Sequence, residues 1–526
     1  MIELKNISFK YRTNLPYVLE NINFNINTKE KILIAGKNGA GKTTLSKIIS
    51  GIIPSLEKGF LEGEIVKGNL SEKIGVLFQD FESQLVTTSV KEELIFFPLN
   101  EGIAYKDILP YTEKLAEKFK VKNLFERDIT ELSGGEKQKI ALLALLSADP
   151  EIIILDEPFT DLDPVSREST LNFLKNELHN RAIIVFDQSL NYYEFFDRII
   201  ILNEGKIEYD GNKEIIHKRE IVERAGLELP IVNKIFPGID TEKADLFIMN
   251  NFIFNEKKYL EIKNGFTEKN NPIIKVKNLN FKYPESKDYA LRNINFEISE
   301  KDFVVVAGAN GSGKTTLMKI IAGIIPVKGK SIEFKKDINI GYVYQNPDNQ
   351  IFAETVFEEV SFILKMAKCA QEVIEQKTEN ILKVMGLFEK KDEDPFLLPK
   401  GDRQKVACAS ILVAQPDVLI LDEPTTGLDY PSLKNLMNII NDFNKAGSTI
   451  LMITHDMEIA ADYGNKMLLM SEGEILFYGN KREAFNNEEI LKKAKIRTTK
   501  LMDVTVAANG KLLLNEKEFQ FCWSKK

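Results

Sequence analysis

Short runs of branched apolar residues recur along this chain: KILIAG from Lys31, EIIILDE from Glu151 and AIIVFD from Ala182. Between them lie stretches whose apolar residues return at helical spacing. Strands buried on both faces read as near-continuous apolar runs, and their alternation with helices predicts an α/β fold with a mainly parallel sheet. The opening MIELKNISFKY differs, because polar and apolar residues alternate and Glu3 and Lys5 fall among them. That predicts a first strand with one covered face, and it lacks the apolar core of a secretion signal. Between Gln84 and Thr130 strand runs are absent and the spacing is helix-like, predicting a small helical subdomain inserted into the sheet. A corresponding stretch runs from about Gln350 to Pro395.

That correspondence is part of a long internal repeat. FKYRTNLPYVLENINFNI returns as FKYPESKDYALRNINFEI, and GKNGAGKTTLSKIISGIIP as GANGSGKTTLMKIIAGIIP. Tyr11 pairs with Tyr283, Lys42 with Lys314, Gln79 with Gln345 and Asp156 with Asp422. A period of this length is a duplicated domain rather than a solenoid. The expected organisation is a first domain at 1–215, a linker or accessory segment at 216–271, a second domain at 272–485 and a C-terminal extension at 486–526. The linker is charge-balanced and broken at Pro230 and Pro237-Gly238; the extension starts helical and then carries Asn509-Gly510, a hairpin-turn signal.

Composition narrows the class without naming a function. Apolar residues make up 44% and charged residues 28%, as in an ordinary soluble protein, and a net charge of -8 argues against a nucleic-acid coat. The three cysteines, Cys369, Cys408 and Cys522, are scattered and suggest neither a disulfide framework nor a zinc site. No apolar run approaches the 18 or so residues of a spanning helix, so any membrane role is expected to be peripheral.

The chemistry begins at GKNGAGKT (Gly36 to Thr43) and GANGSGKT (Gly308 to Thr315), each between a predicted strand and a predicted helix. Both fit G-x-x-x-x-G-K-[ST]. The glycines turn backbone N–H groups toward phosphates, and the helix N-terminus adds partial positive charge. The candidate contacts are Gly36, Asn38, Gly39, Gly41, Lys42, Thr43 and Thr44, and in the second copy Gly308, Asn310, Gly311, Gly313, Lys314, Thr315 and Thr316. Lys42 and Lys314 would reach the β- and γ-phosphates, and Thr43 and Thr315 would ligate Mg²⁺. Each copy then supplies an apolar strand ending in two acids, Asp156-Glu157 and Asp422-Glu423. The first acid suits the metal; the second suits polarising a water, general-base work that contributes about 10²- to 10⁴-fold in rate.

Phosphate loop, Gln79 or Gln345, LSGGE at Leu132 to Glu136, the Asp-Glu-Pro strand end, Asp163 or Asp429, and ITHD ending at His455-Asp456 together resemble the ATP-binding-cassette (ABC) ATPases. The resemblance covers both repeats and implies two tandem P-loop cassettes, each with an N-terminal antiparallel β region. It also implies ATP and Mg²⁺ as ligands, with Gln79 and Gln345 at the metal and Tyr11 and Tyr283 against adenine. In that family two cassettes pair head to tail, each nucleotide lying between one phosphate loop and the other cassette's LSGGE, so the two cassettes are expected to pair within one chain.

Carried over, the head-to-tail rule gives unlike sites. One combines Lys314, Thr315, Gln345, Asp422, Glu423 and His455 with Ser133, Gly134 and Gly135. The other combines Lys42, Thr43, Gln79, Asp156 and Glu157 with Pro399-Lys400-Gly401-Asp402, which replaces the serine-glycine loop. His455, which in the family contacts the γ-phosphate, is matched in the repeat by Asp187, or by Gln188 after a one-residue realignment. The expectation is an active first-named site with Glu423, His455 and Gln345 as catalytic residues, and a slow or inactive second site despite Glu157.

QNPDNQIF from Gln345, AGLELP from Ala225 and the Lys-Gly-Asp-Arg-Gln start of the second signature resemble the ATPase subunits of energy-coupling-factor (ECF) importers of vitamins and metal ions. That implies attachment at the cytoplasmic face of the cell membrane to a transmembrane coupling subunit and a substrate-binding membrane protein, with no nucleic-acid partner. The alternative is a cytosolic tandem-cassette ATPase acting on ribosomes or nucleic acid. Fused sugar-importer ATPases usually spoil the second phosphate loop, which here is intact.

Overall fold

Each apolar run becomes a strand covered on both faces. In the first copy Ile74–Leu77, Ile152–Asp156, Ala182–Asp187, Lys31–Ala35, Arg198–Asn203 and Lys206–Gly211 lie side by side in that order, all parallel except the last. The second copy repeats the order with Ile340–Val343, Val418–Asp422, Thr449–Ile453, Phe303–Gly308, Lys466–Ser471 and Glu474–Asn480. In this computed structural model residues 2–68, 73–119, 121–132, 134–159, 164–264, 271–284, 286, 288–327 and 329–526 are described. The chain divides into two compact units, Met1–Leu162 with Ser166–Gly238, and a second built almost entirely of Ile239–Lys526.

Successive side chains of a strand point to opposite faces, so each sheet separates two cores. In the first unit Ile32, Ile34, Ile152, Ile154 and Ile184 face the phosphate-loop helix Lys42–Ser50, through Leu45, Ile48 and Ile49, and an antiparallel sheet of Leu19–Ile26, Ile2–Lys10 and Phe60–Lys67. Leu33, Ile153, Leu155, Ile183 and Val185 face the other way, onto Ala141, Leu142 and Leu145 of the helix Gly134–Ser147. Fully burying each such side chain contributes about 1.5–3 kcal/mol. The second unit has the same two layers, and its antiparallel sheet is Leu291–Ser299, Pro272–Phe281 and Ile332–Phe334.

The helical insertions are present in both units, as Val90–Asn100 with Tyr105–Lys118, and Val356–Met366 with Gln371–Met385. Ser89 and Thr355 cap the first helix of each pair by accepting from the backbone N–H of Glu92 and Glu358, three residues on.

Beyond the repeats, Val222, Ala225, Leu227 and Leu229 are buried in the first unit's core. From Ile239 the chain belongs with the second unit. There the helix Ala244–Asn251 packs on the helix Lys500–Asn509, and the strand Phe252–Phe254 pairs antiparallel with Trp523–Lys525. Asn509-Gly510 makes no hairpin. Gly510, at φ 71°, caps the C-terminus of Lys500–Asn509. A left-handed glycine serves a tight hairpin and a helix end equally well, and here the helix claims it.

Candidate nucleotide sites

Both phosphate loops follow a central strand and enter a helix, Lys42–Ser50 in one unit and Lys314–Ile321 in the other. Gly41 stands at the helix start with φ 101°, and a Cβ there would lie 2.6 Å from Leu19 Cδ2. A Cβ on Gly36 would meet the Leu202 carbonyl at 2.3 Å, so neither position accepts a side chain without a shift. Lys42 Nζ donates to the carbonyls of Gly36 (2.7 Å) and Lys37 (3.0 Å). Lys314 Nζ donates to those of Gly308 and Ala309, each at 2.9 Å. Each ammonium is thus held over its own loop. Asn38, Gly39, Asn310 and Gly311 lie in the same loops; Thr43 and Thr315 follow the lysines in the first helical turn.

Tyr11 and Tyr283 sit alike in the two units. Each hydroxyl is 3.1 Å from the hydroxyl of the next threonine, Thr44 or Thr316. Each ring meets Phe9 or Phe281 edge-on at 4.9 Å, and both tyrosines are exposed.

The acid pairs stand where strands Ile152–Asp156 and Val418–Asp422 end. Glu157 and Glu423 adopt left-handed backbone, φ 51° and 49°, while their N–H groups still donate to Phe186 (2.9 Å) and Ile453 (3.1 Å). Non-glycine residues in that region are uncommon, and such strain gathers at functional sites. Glu423 Oε1 lies 3.0 Å from His455 Nε2, and its Oε2 accepts from Gln345 Nε2 at 3.4 Å. Burial pushes the Glu423 carboxyl up, but the His455 imidazole beside it and the Lys314 charge outweigh it and hold it below the usual range, although His455 Nε2 does not complete a hydrogen bond. Glu157 is clamped by two amides instead, Gln79 Nε2 at 2.7 Å on Oε2 and Gln188 Nε2 on Oε1.

Gln188, not Asp187, therefore stands in the place of His455. Strand register fixes this: Asp156 pairs with Phe186 and Asp422 with Ile453, so Asp187 matches Thr454 and Gln188 matches His455. Asp187 does the threonine's local work. Its Oδ1 accepts from Ser189 N–H at 2.9 Å, as Thr454 Oγ1 accepts from Asp456 N–H at 3.0 Å. Desolvation, then Glu157, push the Asp187 carboxyl up to about 6.

The two candidate metal carboxylates also differ. Asp422 Oδ1 accepts from Thr315 Oγ1 at 3.3 Å and Oδ2 from Tyr342 Oη at 3.0 Å. Burial raises its carboxyl pKa, partly offset by Tyr342. Both oxygens of Asp156 are buried with no hydrogen-bond donor. Burial pushes its carboxyl up to about 6, while Thr43 lies close enough to draw it back without completing a hydrogen bond. An orphaned buried carboxylate beside a threonine hydroxyl is a set of hard oxygen donors, which fits a magnesium ion shared with phosphates. Tyr342 was missed in the sequence, although IGYVYQ against IGVLFQ carries the signal.

At the signatures, Gly134 and Gly135 open the helix Gly134–Ser147, and the space about a Gly134 Cβ is open. Ser133 and Asp163 lie outside the described residues. In the second unit Pro399 is the N-cap of Lys400–Leu412 and offers no side-chain hydrogen bond. The Lys400 stem packs over Gly427, and Asp402 is taken by Lys390 (2.6 Å) and Lys405 (3.0 Å). Asp429 caps the helix Tyr430–Ala446 by accepting from Ser432 N–H at 3.0 Å.

Comparison with known proteins agrees with this geometry. The family model described as ABC transporter matches residues 19–160 and 291–426. A protein of Caldanaerobacter subterraneus subsp. tengcongensis named as an ABC transporter ATP-binding protein is 35% identical, over 99% of this chain and 98% of its own. One of Bacillus cereus with the same description is 32% identical over 95% and 94%. The solved archaeal ribosome recycling factor aABCE1, in complex with the stalk protein aP1, gives a TM-score of 0.62 at 21% identity over 91% of each chain, a likeness of fold. With both phosphate loops, both acid pairs and full-length relatives in agreement, the chain belongs to the ABC transporter family of ATP-binding proteins and is an ATPase with two cassettes in one chain.

Proposed function

We propose that this chain is the ATP-hydrolysing subunit of a membrane importer of the ECF type, with one working site and one that mainly binds. Glu423 is the general base. Held ionised by His455 and Lys314, it accepts a proton from the water that attacks the γ-phosphorus, while the bond to the leaving ADP oxygen breaks. Gln345 and His455 fix the carboxylate, and Lys314 and the loop N–H groups carry phosphate charge. Asp422 and Thr315 would hold Mg²⁺, which supplies charge neutralisation on the phosphates when bound.

On the head-to-tail rule of the family, Ser133, Gly134 and Gly135 of the first cassette would complete the site. The other site would face Pro399 and Lys400. Proline has no N–H to give, and Gln188 offers Glu157 an amide that cannot carry a proton's charge as an imidazole does. Two departures gathered in one site support division of labour.

The observation that carries the importer reading is the QNPDNQIF stretch. Buried Glu359 accepts from the N–H groups of Phe352 and Ala353, each at 2.9 Å, and holds that stretch against the helix Val356–Met366. Phe352 is left 59% exposed, edge-on to exposed Phe362 at 4.8 Å with Met366 nearby. Glu93 holds Val86 and Thr87 in the same way in the first unit. Clustered exposed aromatics held by a rigid backbone are what a partner helix needs, and the full-length relatives are named for transport. No helix is long and apolar enough to cross a membrane among the described residues, so the membrane-spanning part would be a partner's. Gentle solubilisation of native membranes and identification of what co-purifies tests this. A polytopic subunit with a small hydrophobic substrate-binding protein is expected; ribosomes with no membrane protein would retire the importer.

A further inference from the structure

The strands beside the two candidate metal carboxylates read IGVLFQ and IGYVYQ, and one of their differences bears on the carboxylates directly. Val76 pairs with Ile154 in the first unit, and Tyr342 pairs with Ile420 in the second, two residues before Asp156 and Asp422 respectively on the partner strand. The phenol at Tyr342 therefore reaches Asp422, and its hydroxyl donates to Oδ2 at 3.0 Å. The ring is itself fixed, meeting Tyr344 edge-on at 4.9 Å, and only 8% of the residue is exposed. Valine at the matching place has no donor, and Asp156 stands with both oxygens unpartnered.

We infer that Tyr342 is a positioning residue for the metal site of the second cassette, holding Asp422 by Oδ2 so that Oδ1 stays beside Thr315 for Mg²⁺. A carboxylate free to rotate must be ordered when the metal arrives; one already held by a neutral donor is not. Partners that orient a ligating carboxylate typically change metal affinity about 10- to 100-fold when removed. The difference between Tyr342 and Val76 thus adds a third distinction between the two sites, in metal affinity rather than in the base or the signature. The inference rests on the magnesium role proposed above.

The test uses the full chain with the first phosphate loop disabled by Lys42→Ala, and reads binding of a fluorescent ATP analogue with Mg²⁺ and with EDTA. The ratio of the two affinities is the gain that metal provides. Tyr342→Phe keeps the ring, so the EDTA affinity is expected to hold within error, while the metal gain falls about 10-fold. In the reciprocal background, Lys314→Ala, Val76→Tyr should raise the gain at the first site. An unchanged gain in both variants, or a loss of EDTA affinity equal to the loss with Mg²⁺, would overturn the assignment. No gain even with Tyr342 in place would instead overturn the magnesium reading beneath it.

Discussion

Replacing His455 with alanine removes the only imidazole from the Glu423 clamp and should change the pH profile as well as the rate. The pair is 3.0 Å apart and each side chain is 14% exposed. At that distance the imidazole is the nearest group favouring the ionised carboxylate, and a fully formed charged contact of this kind contributes about 1.5–3 kcal/mol. Without His455, burial, which already opposes ionisation, becomes the larger influence on Glu423. Its carboxyl pKa should rise. A general base works only when deprotonated, so the acid limb of the kcat profile moves to higher pH. Lost contact with the γ-phosphate would lower the plateau as well, but could not move the limb. The sign carries over to stability: a depressed carboxyl contributes above its unfolded pKa, and that contribution disappears as pH falls through the folded value. Steady-state ATPase measured from about pH 5 to 9 reads both effects, with Gln188→Ala as the companion. The same limb in parent and His455→Ala, or an equal shift in Gln188→Ala, would refute the reasoning.

Other consequences are quicker to check. Phe352→Ser should leave ATPase activity of the isolated chain within about twofold, since surface changes away from the clamp shift energies by only about 0.5 kcal/mol, yet weaken co-purification with membrane partners. Retained co-purification would remove the exposed aromatic from the docking account. Gly510→Ala places a side chain at φ 71° where nothing crowds it, so backbone strain alone should cost about 1 kcal/mol, read as a lowered denaturation midpoint. An unchanged midpoint would mean the helix end frays at no cost.

Much of this fold was legible because burial on both sheet faces leaves a plain mark: Ile152 to Leu155 and Ala182 to Phe186 are apolar at every position. The phosphate loops were legible because only glycine fits where Leu202 and Leu19 approach. Other features depend on contacts that sequence spacing does not encode. The choice between Asp187 and Gln188 turns on one residue of register, which strand pairing settles and an ungapped comparison does not. Tyr342 and Asp422 are 80 positions apart, and a tyrosine in a strand reads as packing until its hydroxyl is seen to have a carboxylate. Phe252–Phe254 and Trp523–Lys525 are too short to stand out as strands, and they pair only because the fold brings the chain end back to them. Asn509-Gly510 misled because positive φ suits either of two endings.

Division of labour between the two sites is most directly tested by matched substitutions of the two bases. Glu423→Gln and Glu157→Gln each keep the size of the side chain and remove the proton acceptor. Single-turnover and steady-state hydrolysis of each purified full-length variant should show Glu423→Gln reduced by about 10²-fold or more, with Glu157→Gln retaining most of the parent rate. Equal losses from the two substitutions, or the larger loss from Glu157→Gln, would contradict it.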